Sequence, residues 1–260
     1  MRLDWSGSSL LSNCSFSSCI TNDAPEPIQE PIPEDGKSID LYQDADGPFS
    51  FPKIPFNTTR LNQVWILSCT FFDLYSGDGA AIDLDGYLAD IVIKDSSFIQ
   101  CRCHRYSGGA IFASHAKYYP SYRFYFTLFG CRFSNNTALA GGHLYVQNYS
   151  SLTVAQCTFA NSRSGSSVPL NQKDPISILV HTSARFDNCT ISNNEGSYTG
   201  GIDITTIPTT KSLILTDVLF KENVCTDTNI SEQVTDCYFY NAPVMEHFEF
   251  FDCFSTSGRF

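Results

Sequence analysis

Apolar residues recur along this chain in one short phrase that is repeated eight times: two inward candidates alternating with polar neighbours, a two-residue corner, then a small or thiol residue followed two places later by an aromatic or Ile. Six copies are clear: Val64, Ile66, Cys69, Phe71; Ile91, Ile93, Ser96, Phe98; Phe126, Leu128, Cys131, Phe133; Leu152, Val154, Cys157, Phe159; Ala184, Phe186, Cys189, Ile191; and Leu213, Leu215, Val218, Phe220. Weaker copies centre on Cys14 and Cys253. Alternation on both sides of a fixed corner is the period of strands that turn one face inward. The anchor falls at 69, 96, 131, 157, 189, 218 and 253, in steps of 27, 35, 26, 32, 29 and 35 residues. Recurrence at that period marks a solenoid or a propeller. A propeller blade needs four antiparallel strands and hairpin turns, whereas each unit here holds about three short strands. The pattern therefore predicts an all-β protein, a right-handed parallel β-helix forming a single stack of about eight coils.

A second landmark follows most anchors by ten to twelve residues: Gly79-Ala80-Ala81-Ile82, Gly108-Gly109-Ala110-Ile111, Gly141-Gly142-His143-Leu144 and Gly200-Gly201-Ile202. Glycine allows a tight corner and close approach of neighbouring backbones. Gly-Gly-Ala-Ile together with Phe-x-x-Asn (Phe133 to Asn136, Phe220 to Asn223, and Ile191 to Asn194 as a variant) resembles the repeat of the polymorphic outer membrane proteins, within the wider pectate-lyase-like β-helix superfamily. The likeness covers roughly residues 60–225. Phe16 and Phe98 depart from it, with Cys19 and Cys101 where Asn is expected. The resemblance implies a secreted or surface-displayed repeat passenger with adhesive roles, and it carries over no catalytic residue.

Composition fits such a stack, with 14% aromatic residues, 21 of them Phe, able to line one interior column. Residues 1–22 read as a partial N-terminal coil, 23–57 as an acidic, Pro-rich insertion, and 58–260 as the main stack. Proline cannot donate regularly to a sheet, which sets 23–57 apart. Neither end carries a convincing polar cap, so the chain reads as a fragment truncated at both ends, with the export signal and any anchor lying beyond it. There is no 18-residue apolar run to cross a membrane. The expected location is extracellular or cell-surface.

Charge narrows the function. The formal net charge of −11 argues against nucleic acid as a partner. All 27 acids lie outside residues 96–173, which hold seven basic residues, so that window carries +7 against −18 elsewhere. Coils stack in order, so a window of sequence becomes a spatial band. Arg102, Arg105, Lys117, Arg123 and Arg132, with Tyr119, Tyr122 and Tyr145, are the expected binding residues for an anionic glycan or an acidic protein surface, through charge-assisted hydrogen bonds and ring contacts.

Catalytic signals are thin. Corner alignment places Asp83 and Asp203 outward and four coils apart, roughly 19 Å at one rung per ~4.8 Å, too far for an acid and base pair. Asp83 and Asp85, about 7 Å apart on one strand, satisfy distance alone. Cys101, Cys103 and His104, with His115, lack the second pair of a metal site, so neither metal nor cofactor is expected. Most cysteines occupy the inward column as packing units, with adjacent rungs also within reach of a bridge. Cys225 and Cys237, off that column, are the expected disulfide. Sequons occur at Asn13, Asn57, Asn135, Asn148, Asn188 and Asn229. The chain thus reads as a non-catalytic exported repeat scaffold, adhesive or glycan-binding. The alternatives are a carbohydrate-active enzyme, a polysaccharide lyase or hydrolase, and a structural spacer.

Overall fold

The computed structural model describes residues 2–4, 9–17, 38–40, 49–50, 62–76, 79–84, 89–103, 107–114, 124–164, 174–196, 199–205, 210–226, 236–240, 247–251 and 254–255. Every regular element among them is a strand, and apart from one antiparallel pair, Arg2–Asp4 with Ser38–Asp40, the ladders are parallel. They stack into a parallel β-helix with a large 13-stranded sheet, a sheet of eight and a sheet of six. The large sheet has two lanes, which merge where Leu144–Ala155 and Ile176–Asp187 run as single 12-residue strands through both.

The register follows the apolar alternation. Val64, Ile91, Phe126, Leu152, Ala184, Leu213 and Phe248 face one another rung by rung, two places ahead of Ile66, Ile93, Leu128, Val154, Phe186, Leu215 and Phe250. In the eight-stranded sheet Phe71, Phe98, Phe133 and Phe159 stack with ring centroids 4.8, 4.7 and 4.7 Å apart and nearly parallel planes. All four are fully buried. The rung spacing of a parallel sheet thus doubles as an offset-stacking distance for phenyl rings.

Two corners per coil use a residue in the left-handed region. The first is at Asn13, Ser68, Asp95, Gly130, Gln156, Asn188 and Asp217; the second is at Asp73, Gln100, Asn135, Asn161, Asn193 and Glu222, with φ between 49° and 64°. After each corner the chain dips inward, and the inward side chain does the work of a missing backbone bond. At the first corner the thiol or hydroxyl donates to the carbonyl two residues back, as in Cys69 to Leu67 at 3.3 Å, Ser96 to Lys94 at 2.8 Å, Cys157 to Ala155 at 3.2 Å and Cys189 to Asp187 at 3.3 Å. It can also accept from the rung before, as Ser96 Oγ does from the Cys69 N–H at 3.0 Å. That dual role explains why Ser and Cys interchange at this position. Cys69, Cys101, Cys131, Cys157 and Cys189 are buried, unbridged thiols. Burial raises the Cys101 thiol to about 12 and the Cys189 thiol to about 11, so both lack the thiolate that reacts.

At the second corner asparagine does the same with an amide. Asn136 Oδ1 accepts the Cys101 N–H at 2.8 Å while its Nδ2 donates to the Phe98 carbonyl at 3.0 Å. Asn194 treats Ser162 N–H and the Phe159 carbonyl alike, at 2.8 and 3.1 Å. Asn223 repeats this toward Asn194 N–H and the Ile191 carbonyl, at 3.2 and 2.9 Å. His143 joins the ladder from the glycine landmark, its Nδ1 3.1 Å from Asn136 Nδ2 and its Nε2 3.1 Å from Asn194 Oδ1.

At that landmark a side chain has no room. Gly141 has φ +59°, and a Cβ on Gly109 would strike the backbone carbonyls of Gly142 and Thr137. Within the stretch 23–57, Phe49–Ser50 forms a parallel strand beside Ile82–Asp83, extending the large sheet by one strand.

Candidate functional site

Because the second-corner residue is followed by one that dips inward, the backbone there is left between two ridges of side chains. One ridge is the corner column, Gln100, Asn135, Asn161, Asn193 and Glu222. The other is the outward column of the six-stranded sheet, Arg102, Thr137, Arg163, Glu195 and Val224, held in register by the ladder. Together, with Ser162 and Asn194 at the floor, they line a groove of about 690 Å³ that runs along the stack over five rungs. Its chemistry is amide, hydroxyl and guanidinium at one end, carboxylate and an exposed Val224 at the other.

The cations in it are loosely held. Arg102 reaches Asp73 at 3.8 Å and Arg163 reaches Glu195 at 3.8 Å, and their own side chains are 49% and 83% exposed. Single contacts of this kind in water contribute about 0–1 kcal/mol each, so a ligand anion can displace them.

Of the expected binding residues, the three that are described lie on three different sheets. Arg102 lies in the groove, Arg132 is exposed on the eight-stranded sheet between Ser97 and Thr158, and Tyr145 belongs to the large sheet. Arg105, Lys117, Tyr119, Tyr122 and Arg123 lie outside the described residues, as does Asp85. A coil distributes neighbouring residues over different faces, so an acid-free window is a band along the axis but not a patch. Asp73 and Glu195, each one coil beyond an end of the window, sit against its arginines.

Asp83, Phe112, Tyr145, Ser177 and Asp203 do form one column, four rungs from end to end. Phe112 and Tyr145 stack with centroids 5.3 Å apart. Asp203, however, is not exposed as expected: only 4% of its surface is accessible. Burial, aided by the charge of Asp174, pushes its carboxyl well above the ordinary value. Burial also raises the Tyr145 hydroxyl, with the Asp203 charge adding to it. Asp174 is fully buried and accepts the Thr199 N–H at 2.7 Å. A carboxyl with a raised folded pKa contributes stability that is present below the unfolded value of 3.8 and lost as pH rises through the folded one. Asp203→Asn should therefore raise the midpoint of thermal unfolding at pH 7, with the gain fading toward pH 3.5. An equal gain at both pH values would show that charge is not its cause.

Cys101 and Cys103 both point inward and are buried, and no three His, Cys, Asp or Glu side chains converge as metal ligands among the described residues. Cys225 and Cys237 are likewise buried thiols, in the six-stranded and large sheets respectively. The groove amides were not singled out from sequence, although a signal exists: two residues after the inward aromatic or Ile stands Asp, Gln, Asn or Glu in every clear copy. No family model, curated protein or solved structure matches this chain.

Proposed function

We propose that this protein is a non-catalytic, exported or cell-surface repeat scaffold that binds glycan along one face of its solenoid. The observation that carries the reading is the polar groove over the six-stranded sheet, long, shallow and rigidly spaced, with amides and two loosely paired arginines but no buried apolar anchor. Such a surface suits a hydroxyl-rich polymer, since amide side chains both donate and accept. The resemblance of the Gly-Gly-Ala-Ile and Phe-x-x-Asn motifs to polymorphic outer membrane protein repeats supports the surface location. Asp83 and Asp203 stand four rungs apart, which supports a non-catalytic role for that pair.

The test is a panel of sulfated, uronic and neutral polysaccharides presented at low and at physiological salt, with the solution assayed for new reducing ends and unsaturated sugars. Saturable binding without product is expected, weakening as salt screens the exposed arginines over about 8–10 Å. Product formation would make the protein a carbohydrate-active enzyme, and neither binding nor product would leave it a spacer.

A further inference from the structure

The groove is not uniform along its length. Beside Gln100, Asn135 and Asn161 the second ridge reads Arg102, Thr137, Arg163, two cations separated by a neutral rung. Beyond them it turns to Glu195 and then Val224. Rungs repeat at about 4.8 Å, so the two arginines are rooted about 9.6 Å apart along the axis.

We infer that the groove takes an acidic oligosaccharide lying along the solenoid axis, with carboxylate or sulfate groups on alternate sugars meeting Arg102 and Arg163 and an uncharged continuation running toward Val224. This rests on the glycan-binding reading above and adds to it the charge spacing, the direction and the length of the ligand. A sugar unit in an extended chain is about as long as one rung, so two rungs between cations correspond to one anion for every second sugar. Guanidinium forks match carboxylate and sulfate oxygens in pairs, and they gain by exchanging a single 3.8 Å contact for a bidentate one. Asn135 and Asn161 supply donors and acceptors for the hydroxyls between the charged groups. A ligand charged on every sugar meets Glu195 and Glu222 at the far end, where like charges repel. An acidic peptide strand would seek unpaired backbone at a sheet edge, whereas one ridge of this groove stands on paired strands and the other on corners whose N–H groups, from Gln100 to Asn193, already donate to the following rung.

The experiment is titration calorimetry on the full chain, produced without N-glycosylation, because Asn135-Asn136-Thr137 is a sequon and a glycan there would fill the groove. The probes are oligosaccharides of two to six sugars carrying an anion on every sugar, on alternate sugars, or on none, and an acidic peptide of equal charge. The alternately charged series should bind best and gain affinity with length over the rungs of Arg102, Thr137 and Arg163, then level off where a third anion would meet Glu222. Arg102→Gln and Arg163→Gln should each weaken it about tenfold, the loss of one charge-assisted pair. Arg185→Gln, the same charge change at an exposed residue of the large sheet, should leave affinity unchanged. Equal binding of the uniformly charged series, or an equal loss in the Arg185 variant, overturns the inference. If neutral sugars bind best, glycan binding stands and the charge register fails. If the peptide alone binds, or nothing does, both readings fall.

Discussion

Replacing Phe159 by Asp should unfold the stack, and Phe159→Ala should cost about 3–5 kcal/mol. Phe159 is fully buried, stacks on Phe133 at 4.7 Å and pairs in register with Ile191. Truncation leaves a cavity between two rungs that are fixed by their own ladders and cannot collapse into it. The Asp variant adds an unpaired carboxyl to that cavity. Such a change rivals the about 5–15 kcal/mol that separates a typical domain from its unfolded state. Denaturant unfolding followed by circular dichroism measures the first variant, and limited proteolysis reports the second. Thr158→Asp is the companion, because Thr158 sits one residue away on the half-exposed outer side of the same strand. A Thr158 variant as damaged as the Phe159 variant would mean that the inward face is misassigned.

Acid should weaken this fold through His143. Its ring is fully buried between Phe133 and Phe159, with centroids 6.1 and 5.9 Å away. Burial is the main cause that lowers its pKa to about 3, and the bond to Asn194 opposes it. The hydrogen-bond pattern excludes the proton independently. Asn194 Oδ1 is held as an acceptor by the Ser162 N–H, so His143 Nε2 must donate. Asn136 Oδ1 is held by the Cys101 N–H, which turns Nδ2 toward His143 Nδ1, so that nitrogen must accept. A second ring proton would meet an N–H donor. The unfolded chain binds a proton near pH 6.5 and the folded one does not until about pH 3, so the contribution is present above 6.5 and lost on acidification. The slope is about 1.4 kcal/mol per pH unit, roughly 3 kcal/mol by pH 4. His181, lowered to about 4 by burial, acts in the same direction. His143→Gln should be less stable than the parent at pH 7 yet lose less on going to pH 4. Parallel stability curves for the two proteins would remove His143 as the cause.

The fold was legible because a period-2 pattern that restarts at a fixed corner leaves one register. Val64, Ile91, Phe126, Leu152, Ala184 and Leu213 could be aligned from the sequence and do face one another. Cysteine as a packing unit was legible too, since Ser96 and Val218 share its column. What the thiols and amides bond to was not, because each partner lies on another rung at a variable distance along the chain. Asn136, for example, serves Cys101, 35 residues earlier. The faces of the three described binding residues were not legible for a related reason. Arg102, Arg132 and Tyr145 are close in rung number, but the face each occupies depends on its place within the coil, and a count of charges in a window does not contain that. Asp203 was read as exposed from alternation, yet it packs beside Asp174, a residue that no repeat position marks.

The corner bonds also have a direction. Cys69 N–H waits for Ser96, Cys101 for Asn136, Cys131 for Cys157, Ser162 for Asn194 and Asn194 for Asn223, so in every case a rung's own amide is satisfied by the rung that follows it. A partly assembled stack therefore always presents unsatisfied donors on its C-terminal face and none of this kind on its N-terminal face. Growth of the helix resembles a zipper that runs one way, each newly docked coil completing its predecessor and opening the next vacancy. A chain delivered N-terminus first meets that demand in the order in which its coils emerge.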